Sequence, residues 1–190
     1  MMLACGAYSH QTPGQATKKT GPRNWDPLTY LCFSRYLRLD KSRSEGFVRA
    51  ATALLEAGAD PNTGFFESEH QPRPEWESVL YGTAGIAQHP GLTRLLLDNG
   101  ADPNDGEVPY HSPETYDNTT LKVLLDSKRL SAGSLSTMLL RKADFHDRDG
   151  MQLLLDAGAS LKNVSIPCGY EEVDLLLRAA ASTRGLLFRS

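Results

Sequence analysis

Two nearly identical stretches, ALLEAGADPNTG at 53–64 and LLLDNGADPNDG at 95–106, decide how this chain is expected to fold. A third copy, LLLDAGASLKN, occupies 153–163, and weaker copies are VLLDSK at 123–128 and LLLRAA at 175–180. The copies recur about every thirty residues, a spacing typical of stacked supersecondary units rather than of heptads or propeller blades. The sequence therefore predicts an internal repeat.

Each copy predicts an amphipathic helix, and three of the copies place a glycine at its end. Apolar residues fall on one face of a 3.6-residue period, at Leu121/Leu124/Leu125, Met151/Leu154/Leu155 and Val173/Leu176/Leu177. Gly58, Gly100 and Gly158 follow the helices, and glycine accepts the left-handed conformation that ends a helix. In the first two copies an Asp-Pro pair comes next, and the residue before proline leaves the helical region.

A shorter segment precedes each of these helices. The segments are DPLT (26–29), SVLY (78–81), VPYH (108–111) and TMLL (137–140). We expect each unit to contain a short first helix, a longer second helix and an extended loop. Asn62, Asn104 and Asn163 end the turn after the second helix, and because asparagine holds turns through its own amide we expect all three to be structural.

LLLDNGADPNDG resembles the LLL-x-x-GAD-x-N element of ankyrin repeats, and ALLEAGADPNTG is similar to it. The resemblance covers about 24–165 and implies an all-α fold, an ankyrin-type helical repeat solenoid with short hairpin-like finger loops. The predicted units are 25–64, 76–106, 107–133 and 134–163. A disordered lead-in is expected at 1–24, a truncated repeat or capping helix at 166–182 and a frayed tail at 183–190.

Composition excludes several functional classes. Twenty Lys and Arg against 23 Asp and Glu give a net charge of -3, which argues against a nucleic-acid partner. The apolar runs are far shorter than the ~20 residues of a membrane span. Cys5, Cys32 and Cys168 are odd in number and far apart, which argues against a disulfide scaffold or thiolate zinc site and suits the cytoplasm. Because no nucleotide-binding or catalytic motif is present, we expect neither enzyme activity nor a cofactor.

A repeat stack presents an extended surface with protruding loops. The resemblance therefore implies a non-enzymatic, monomeric module that binds a protein partner through finger loops and inner helices. One alternative is a recognition fragment of a larger effector or enzyme whose catalytic part lies elsewhere. Another is a self-associating structural protein that uses the apolar residues of the C-terminal tail.

The loop at 63–77, TGFFESEHQPRPEWE, is the best local candidate for partner binding because it is longer than a regular finger needs. Its candidate contact residues are Phe65, Phe66, Glu69, Arg73 and Trp76, since aromatic residues and arginine within a polar rim are typical of interface hot spots. The alternative is that the three aromatic residues pack against neighbouring units as local core.

Four further candidates lie on or near the short first helices. Tyr81 and Tyr110 occupy equivalent positions, where the hydroxyl serves either structural hydrogen bonding or surface recognition. Asp105 and His111 are candidates by position only.

The loop also contains a cluster of possible metal ligands. Glu67, Glu69 and His70 could supply ligands, but no companion group at ligand spacing is found elsewhere, so no metal site is expected.

Overall fold

The computed structural model describes residues 14–70 and 73–160, which form a series of short helices and a two-stranded sheet. In chain order the elements are α1 (Pro27–Cys32), α2 (Tyr36–Leu39), a 3-10 helix (Lys41–Arg43), α3 (Ser44–Glu56), β1 (Gly64–Glu67), β2 (Glu75–Ser78), α4 (Val79–Tyr81), a π-helical turn (Gly82–Ile86), α5 (Pro90–Asp98), α6 (Glu107–His111), α7 (Thr119–Asp126), α8 (Ala132–Asp144) and α9 (Arg148–Asp156).

The helices pack in two rows that bury one apolar core between them. In one row α3 contacts α5, α5 contacts α7, and α7 contacts α9; in the other α1, α4, α6 and α8 follow one another. The apolar faces predicted for α7 and α9 point into this core, where Leu121, Leu124, Met151 and Leu154 are almost fully buried. Burial of such side chains contributes about 1.5–3 kcal/mol each and holds the rows together.

The predicted helix ends are confirmed. Gly58, Gly100 and Gly158 have φ angles of 90°, 99° and 96°, the left-handed region that a side chain resists. After each glycine the chain bonds back to the preceding helix, as Ala101 N–H does to the Leu96 carbonyl at 3.0 Å. Lys128 takes the same conformation, with φ 55°, at the end of the weaker copy VLLDSK, which has no glycine at this position.

Side-chain caps begin α5 and α9. The Leu92 N–H donates to His89 Nδ1 at 3.1 Å ahead of α5, and the Gly150 N–H donates to Asp147 Oδ1 at 3.0 Å ahead of α9. Such caps satisfy backbone donors that the first helical turn leaves unpaired.

The prediction of an all-α, ankyrin-type helical repeat solenoid is wrong: the described residues form a mixed α/β structure. The segment at 63–77, expected to be a finger loop, forms an antiparallel pair in which Phe65 lies opposite Glu77 and Phe66 opposite Trp76. We call β1, β2 and their connection the hairpin. In 64–67 and 75–78 only four residues alternate on each strand, too few for the pattern to stand out in the sequence.

The segments between the recurring turns also differ too much for a regular repeat. The first helices of the predicted units have six residues in α1, three in α4 and thirteen in α8, so α8 is longer than the nine-residue α9 that follows it. The short α4 continues into the π-helical turn, which the other segments do not share within the described part of the chain. The sequence phrases therefore recur in similar turns without giving identical units or a repeat solenoid.

Two of the three turn asparagines, Asn62 and Asn104, are structural as predicted, but they act on a neighbouring turn. Asn62 Oδ1 accepts a hydrogen bond from the Asp102 N–H at 2.8 Å, and Asn104 Oδ1 accepts one from the Ser131 N–H at 2.7 Å. Each amide also donates to a carbonyl of the next turn, Asn62 to Gly100 at 3.3 Å. These bonds join consecutive turns along one side of the molecule.

Part of the predicted lead-in belongs to the described structure. Ala16 is buried, and the Thr20 N–H donates to the Trp25 carbonyl at 2.9 Å in an isolated β-bridge. Asn163, the capping segment at 166–182 and the tail at 183–190 lie outside the described residues. Across the ranges that are described, the helices are too short or too polar to cross a membrane.

Candidate functional site

The hairpin has one face turned inward and one turned outward, because successive strand residues point to opposite sides. Phe66 and Trp76 lie directly opposite each other on the outward face, where 61% and 39% of their surfaces are exposed. We call this pair the aromatic face. Large apolar side chains exposed side by side are uncommon on a soluble domain and indicate a contact surface.

Phe65 lies on the inward face and packs within the protein. Its ring stacks on Trp25 with centroids 4.3 Å apart and meets the edge of Phe33 at 5.0 Å. The Tyr81 ring extends this group at 6.1 Å from Phe33. For Phe65 and Tyr81 the contacts therefore favour the alternative of local packing over recognition.

Acidic side chains lie at the end of the hairpin, where strand alternation turns Glu67 and Glu75 to the face opposite the aromatic face. Glu69 is exposed, and its N–H donates to Glu67 Oε1 at 3.2 Å. Arg73 is exposed and forms an ion pair with Glu75, with Nε and Oε2 at 3.3 Å. In the described part of this loop Arg73 thus partly neutralises the Glu75 carboxylate, and Glu69 is the exposed acidic residue at the end of the hairpin.

Tyr110 and His111 lie beside the hairpin on α6. Tyr110 is 45% exposed, and the guanidinium of Arg141 lies 4.2 Å from its ring centroid. The His111 ring lies between the two tyrosines, with its centroid 4.9 Å from the Tyr110 ring centroid and 5.3 Å from the Tyr81 ring centroid. Tyr110 is therefore open to a partner, whereas His111 is partly covered.

Asp105 is bound into the structure rather than free for contact. Its carboxylate accepts hydrogen bonds from Ser78 Oγ and from the Val108 N–H, the latter at 2.8 Å. Burial raises the pKa of Asp105, although the bond from Ser78 opposes that change. The residue therefore joins the end of β2 to the start of α6.

A second group of side chains meets at the inward face of the hairpin. His70 from the connection, Glu77 from β2 and Glu107 from α6 place one potential ligand atom each within 4.8 Å of one another. We call these residues the histidine–glutamate cluster. The sequence indicated His70 as a possible ligand but not its companions, because they come from the opposite strand and from a helix about thirty residues further on.

The two carboxylates of the cluster are buried close to one another. Glu77 is 6% exposed and Glu107 is 8% exposed. Burial, and then the negative charge of Glu107, raise the pKa of Glu77 to about 7. An acid with this pKa in a buried position is a frequent sign of a functional site.

His111 links the cluster to a network of ion pairs. Its Nε2 lies 3.2 Å from Glu107 Oε2, and its Nδ1 lies 3.0 Å from Glu114 Oε2. Burial alone would raise the pKa of Glu114, but hydrogen bonds from His111 and Arg141 outweigh burial and lower it. The positive charge of Arg141 is shared between Glu114 and Asp144.

A serine–histidine pair elsewhere has the wrong hydrogen-bond pattern for nucleophilic catalysis. Ser44 Oγ lies 2.7 Å from His89 Nε2. Because the Leu92 N–H donates to His89 Nδ1, that nitrogen holds the lone pair and the ring proton lies on Nε2. A general base needs its lone pair toward the serine hydroxyl. The pair therefore caps α5 and does not activate Ser44.

Cys32 is likewise unsuited to chemistry. It is a free cysteine at 1% exposure, and burial raises the pKa of its thiol far above the usual range. The thiolate is the reactive form, so this position is inert.

Comparison of the chain with protein-family models, curated proteins and solved structures finds no match. The resemblance to ankyrin repeats therefore stays a prediction from the quoted phrases.

Proposed function

We propose that this chain is a non-enzymatic module that binds a protein partner through the aromatic face of the hairpin. The supporting observation is that Phe66 and Trp76 are paired across the strands and largely open to solvent. Aromatic side chains of this size supply most of the binding energy in many interfaces. The orientation of Ser44 and His89 and the burial of Cys32 also favour binding over catalysis.

The surroundings of the aromatic face specify the partner's chemistry. Glu69 is exposed at the end of the hairpin, and Glu67 and Glu75 on its other face add negative charge, against Arg73 alone among the described residues of that segment. Electrostatic complementarity then calls for a protein segment with apolar side chains flanked by lysine or arginine. We place this interaction in the cytoplasm because Cys32 is a free thiol.

Site-specific crosslinking tests the proposal. A photoreactive phenylalanine analogue is placed at Phe66 and, as a matched control, at Leu39, which is 78% exposed on α2. We expect a protein that crosslinks from position 66 and not from position 39. Equal capture from both positions would indicate non-specific contact and contradict the proposal.

Affinity measurements on the captured protein complete the test. Replacement of Phe66 or Trp76 by alanine should weaken binding by roughly 2 kcal/mol or more, about 30-fold, as for interface hot spots. Leu39→Ala should leave affinity unchanged. Loss of the cross-strand pair should lower the free energy of unfolding by only about 0.2–1 kcal/mol. Unchanged affinity with a larger loss of stability would show that the two side chains serve packing instead.

A further inference from the structure

We propose that His70, Glu77 and Glu107 form a binding site for a divalent transition-metal ion, with Zn²⁺ as the preferred occupant. One ligand atom of each residue lies within 4.8 Å of the others. The three residues belong to the hairpin connection, β2 and α6, so a bound ion would join the hairpin to the helical part of the molecule. This site is separate from the aromatic face on the opposite side of the hairpin.

The first argument is that Glu77 lacks a partner of its own. It is 6% exposed, and no donor of residues 14–70 or 73–160 forms a hydrogen bond or ion pair with its carboxylate. Glu107 Oε2 is also buried without a hydrogen bond, and the basic side chain nearest to it among the described ion pairs is His111. Two buried carboxylates without lysine or arginine are unfavourable unless something neutralises them. A divalent cation between them would do so.

The second argument is the orientation of His70. Its Nδ1 lies 3.1 Å from the Arg73 carbonyl oxygen, which can only accept, so Nδ1 carries the proton and donates. In the neutral ring the lone pair is then on Nε2. Metal-binding histidines characteristically donate their other ring N–H to a carbonyl or carboxylate in this way, which fixes the tautomer. The carbonyl of Arg73 prepares His70 as a ligand.

The donor set indicates the kind of ion. One imidazole and two carboxylates suit zinc and its first-row neighbours, whereas calcium and magnesium prefer oxygen ligands alone. Around tetrahedral zinc, bonds of about 2.0–2.2 Å put the ligand atoms roughly 3.4 Å apart. Small rotations of the two glutamate side chains from the present separations would close the site. Three protein ligands leave a fourth position for water.

The competing explanation is that a protonated His111 neutralises Glu107. His111 contacts both Glu107 and Glu114 and could carry the positive charge without any metal. The two explanations differ at Glu77. A metal ion requires Glu77 as a ligand, whereas the ion pairs of His111 in the structure do not include Glu77. Replacement of His111 and of Glu77 therefore separates them.

Calorimetric titration of ZnCl₂ into the chelator-treated full chain at pH 7.5 tests the proposal. We expect one saturable equivalent for the native sequence and no comparable binding of Mg²⁺ or Ca²⁺. Glu77→Gln, Glu107→Gln and His70→Gln should each weaken zinc binding at least about 100-fold. The matched control Glu69→Gln, in the same connection, should bind like the native sequence.

A stability measurement guards against variants that lose binding by misfolding. Without metal, Glu77→Gln removes a buried uncompensated charge and should unfold at the same or higher denaturant concentration than the native sequence. With excess zinc, the native midpoint should rise while that of Glu77→Gln stays constant. Zinc binding that is unaffected by Glu77→Gln and Glu107→Gln, or absent from the native chain, would overturn the proposal. The proposal would also be overturned if zinc binding were lost in His111→Gln but kept in Glu77→Gln and Glu107→Gln.

Discussion

Lys142 offers a sharp test of how the core is held together, because it is a fully buried lysine at 0% exposure. Its Nζ lies 2.7 Å from Asp147 Oδ2 and also donates to the Thr115 carbonyl. Asp147 in turn accepts bonds from Asn118 Nδ2 at 3.0 Å and from the Gly150 N–H that begins α9. We consider the substitution Lys142→Met, which keeps the apolar length of the side chain and removes its charge.

The expected loss follows from what the substitution leaves behind. Asp147 keeps two donors but loses its counter-ion, and breaking a buried pair in this way costs about 3–5 kcal/mol. The Thr115 carbonyl also loses its donor, which is part of the same loss and not an independent addition. Methionine fills most of the lysine volume, so the cavity contribution is small. We expect a decrease of about 3–5 kcal/mol out of a total of roughly 5–15 kcal/mol.

Urea unfolding followed by circular dichroism measures this loss, and a double-mutant cycle shows its origin. Asp147→Asn retains a capping oxygen and removes the negative charge. If the pair is the cause, combining it with Lys142→Met should cost at least ~2 kcal/mol less than the sum of the single changes. Lys122→Met, at an exposed position of α7, is the control and should change stability by less than about 0.5 kcal/mol. Additive single effects, or a loss below ~1 kcal/mol for Lys142→Met, would refute the reasoning.

Three further predictions concern the hairpin, a helix cap and a thiol. Gly64→Ala should cost about 1–3 kcal/mol in urea unfolding, because the new Cβ would overlap the Glu77 carbonyl oxygen. Burial lowers the pKa of His89, so its contribution to stability is present above about pH 6.5 and is lost as the pH falls through the folded-state value. His89→Asn keeps a helix cap but removes the titrating ring. Below about pH 6.5 the stability of this variant should therefore fall less steeply with decreasing pH than that of the native sequence, by up to ~1.4 kcal/mol per pH unit. Cys32 should react with iodoacetamide at least about 100-fold more slowly in the folded than in the urea-unfolded chain, as followed by peptide mass spectrometry.

Each of these predictions has a matched comparison. Gly46→Ala on α3 meets nothing closer than 4.0 Å and should be tolerated, so equal losses at Gly64 and Gly46 would contradict the steric argument. An unchanged pH slope in His89→Asn would show that another group causes the acid sensitivity. Rapid labelling of Cys32 in the folded chain would mean that the α1 region opens readily.

Local features of this structure could be predicted from the sequence because they depend on a few adjacent residues. Gly100 stops α5 and Asp147 starts α9 through conformations and bonds that lie within one turn of the residue itself. The apolar period likewise identifies the buried side of α7. The overall arrangement of the helices could not be predicted in the same way, because similar turns are joined here by segments as different as α4 and α8.

The hairpin and the histidine–glutamate cluster depend on pairing between distant residues, which is why the sequence did not predict them. Strand register places Glu77 opposite Phe65, and packing of α6 against β2 brings Glu107 to the same side. Spacing along the chain carries no mark of these contacts. The exposed side chains were easier to identify, because Phe66 and Trp76 are unusual within an otherwise polar segment.

The buried charges of this protein are of two kinds, and their contrast bears on function. Lys142 and Asp147 satisfy one another within the fold, so nothing outside the chain is needed to explain them. Glu77 and Glu107 are buried to a similar degree but lie beside like charge, with the His111 ring as the only basic neighbour of Glu107 among the described ion pairs. The second arrangement does not stabilise the fold, because buried glutamines of the same shape would avoid the repulsion between the two carboxylates. Retaining two carboxylates is advantageous when a cation comes to bind, and zinc binding measured in Glu77→Gln bears directly on that advantage.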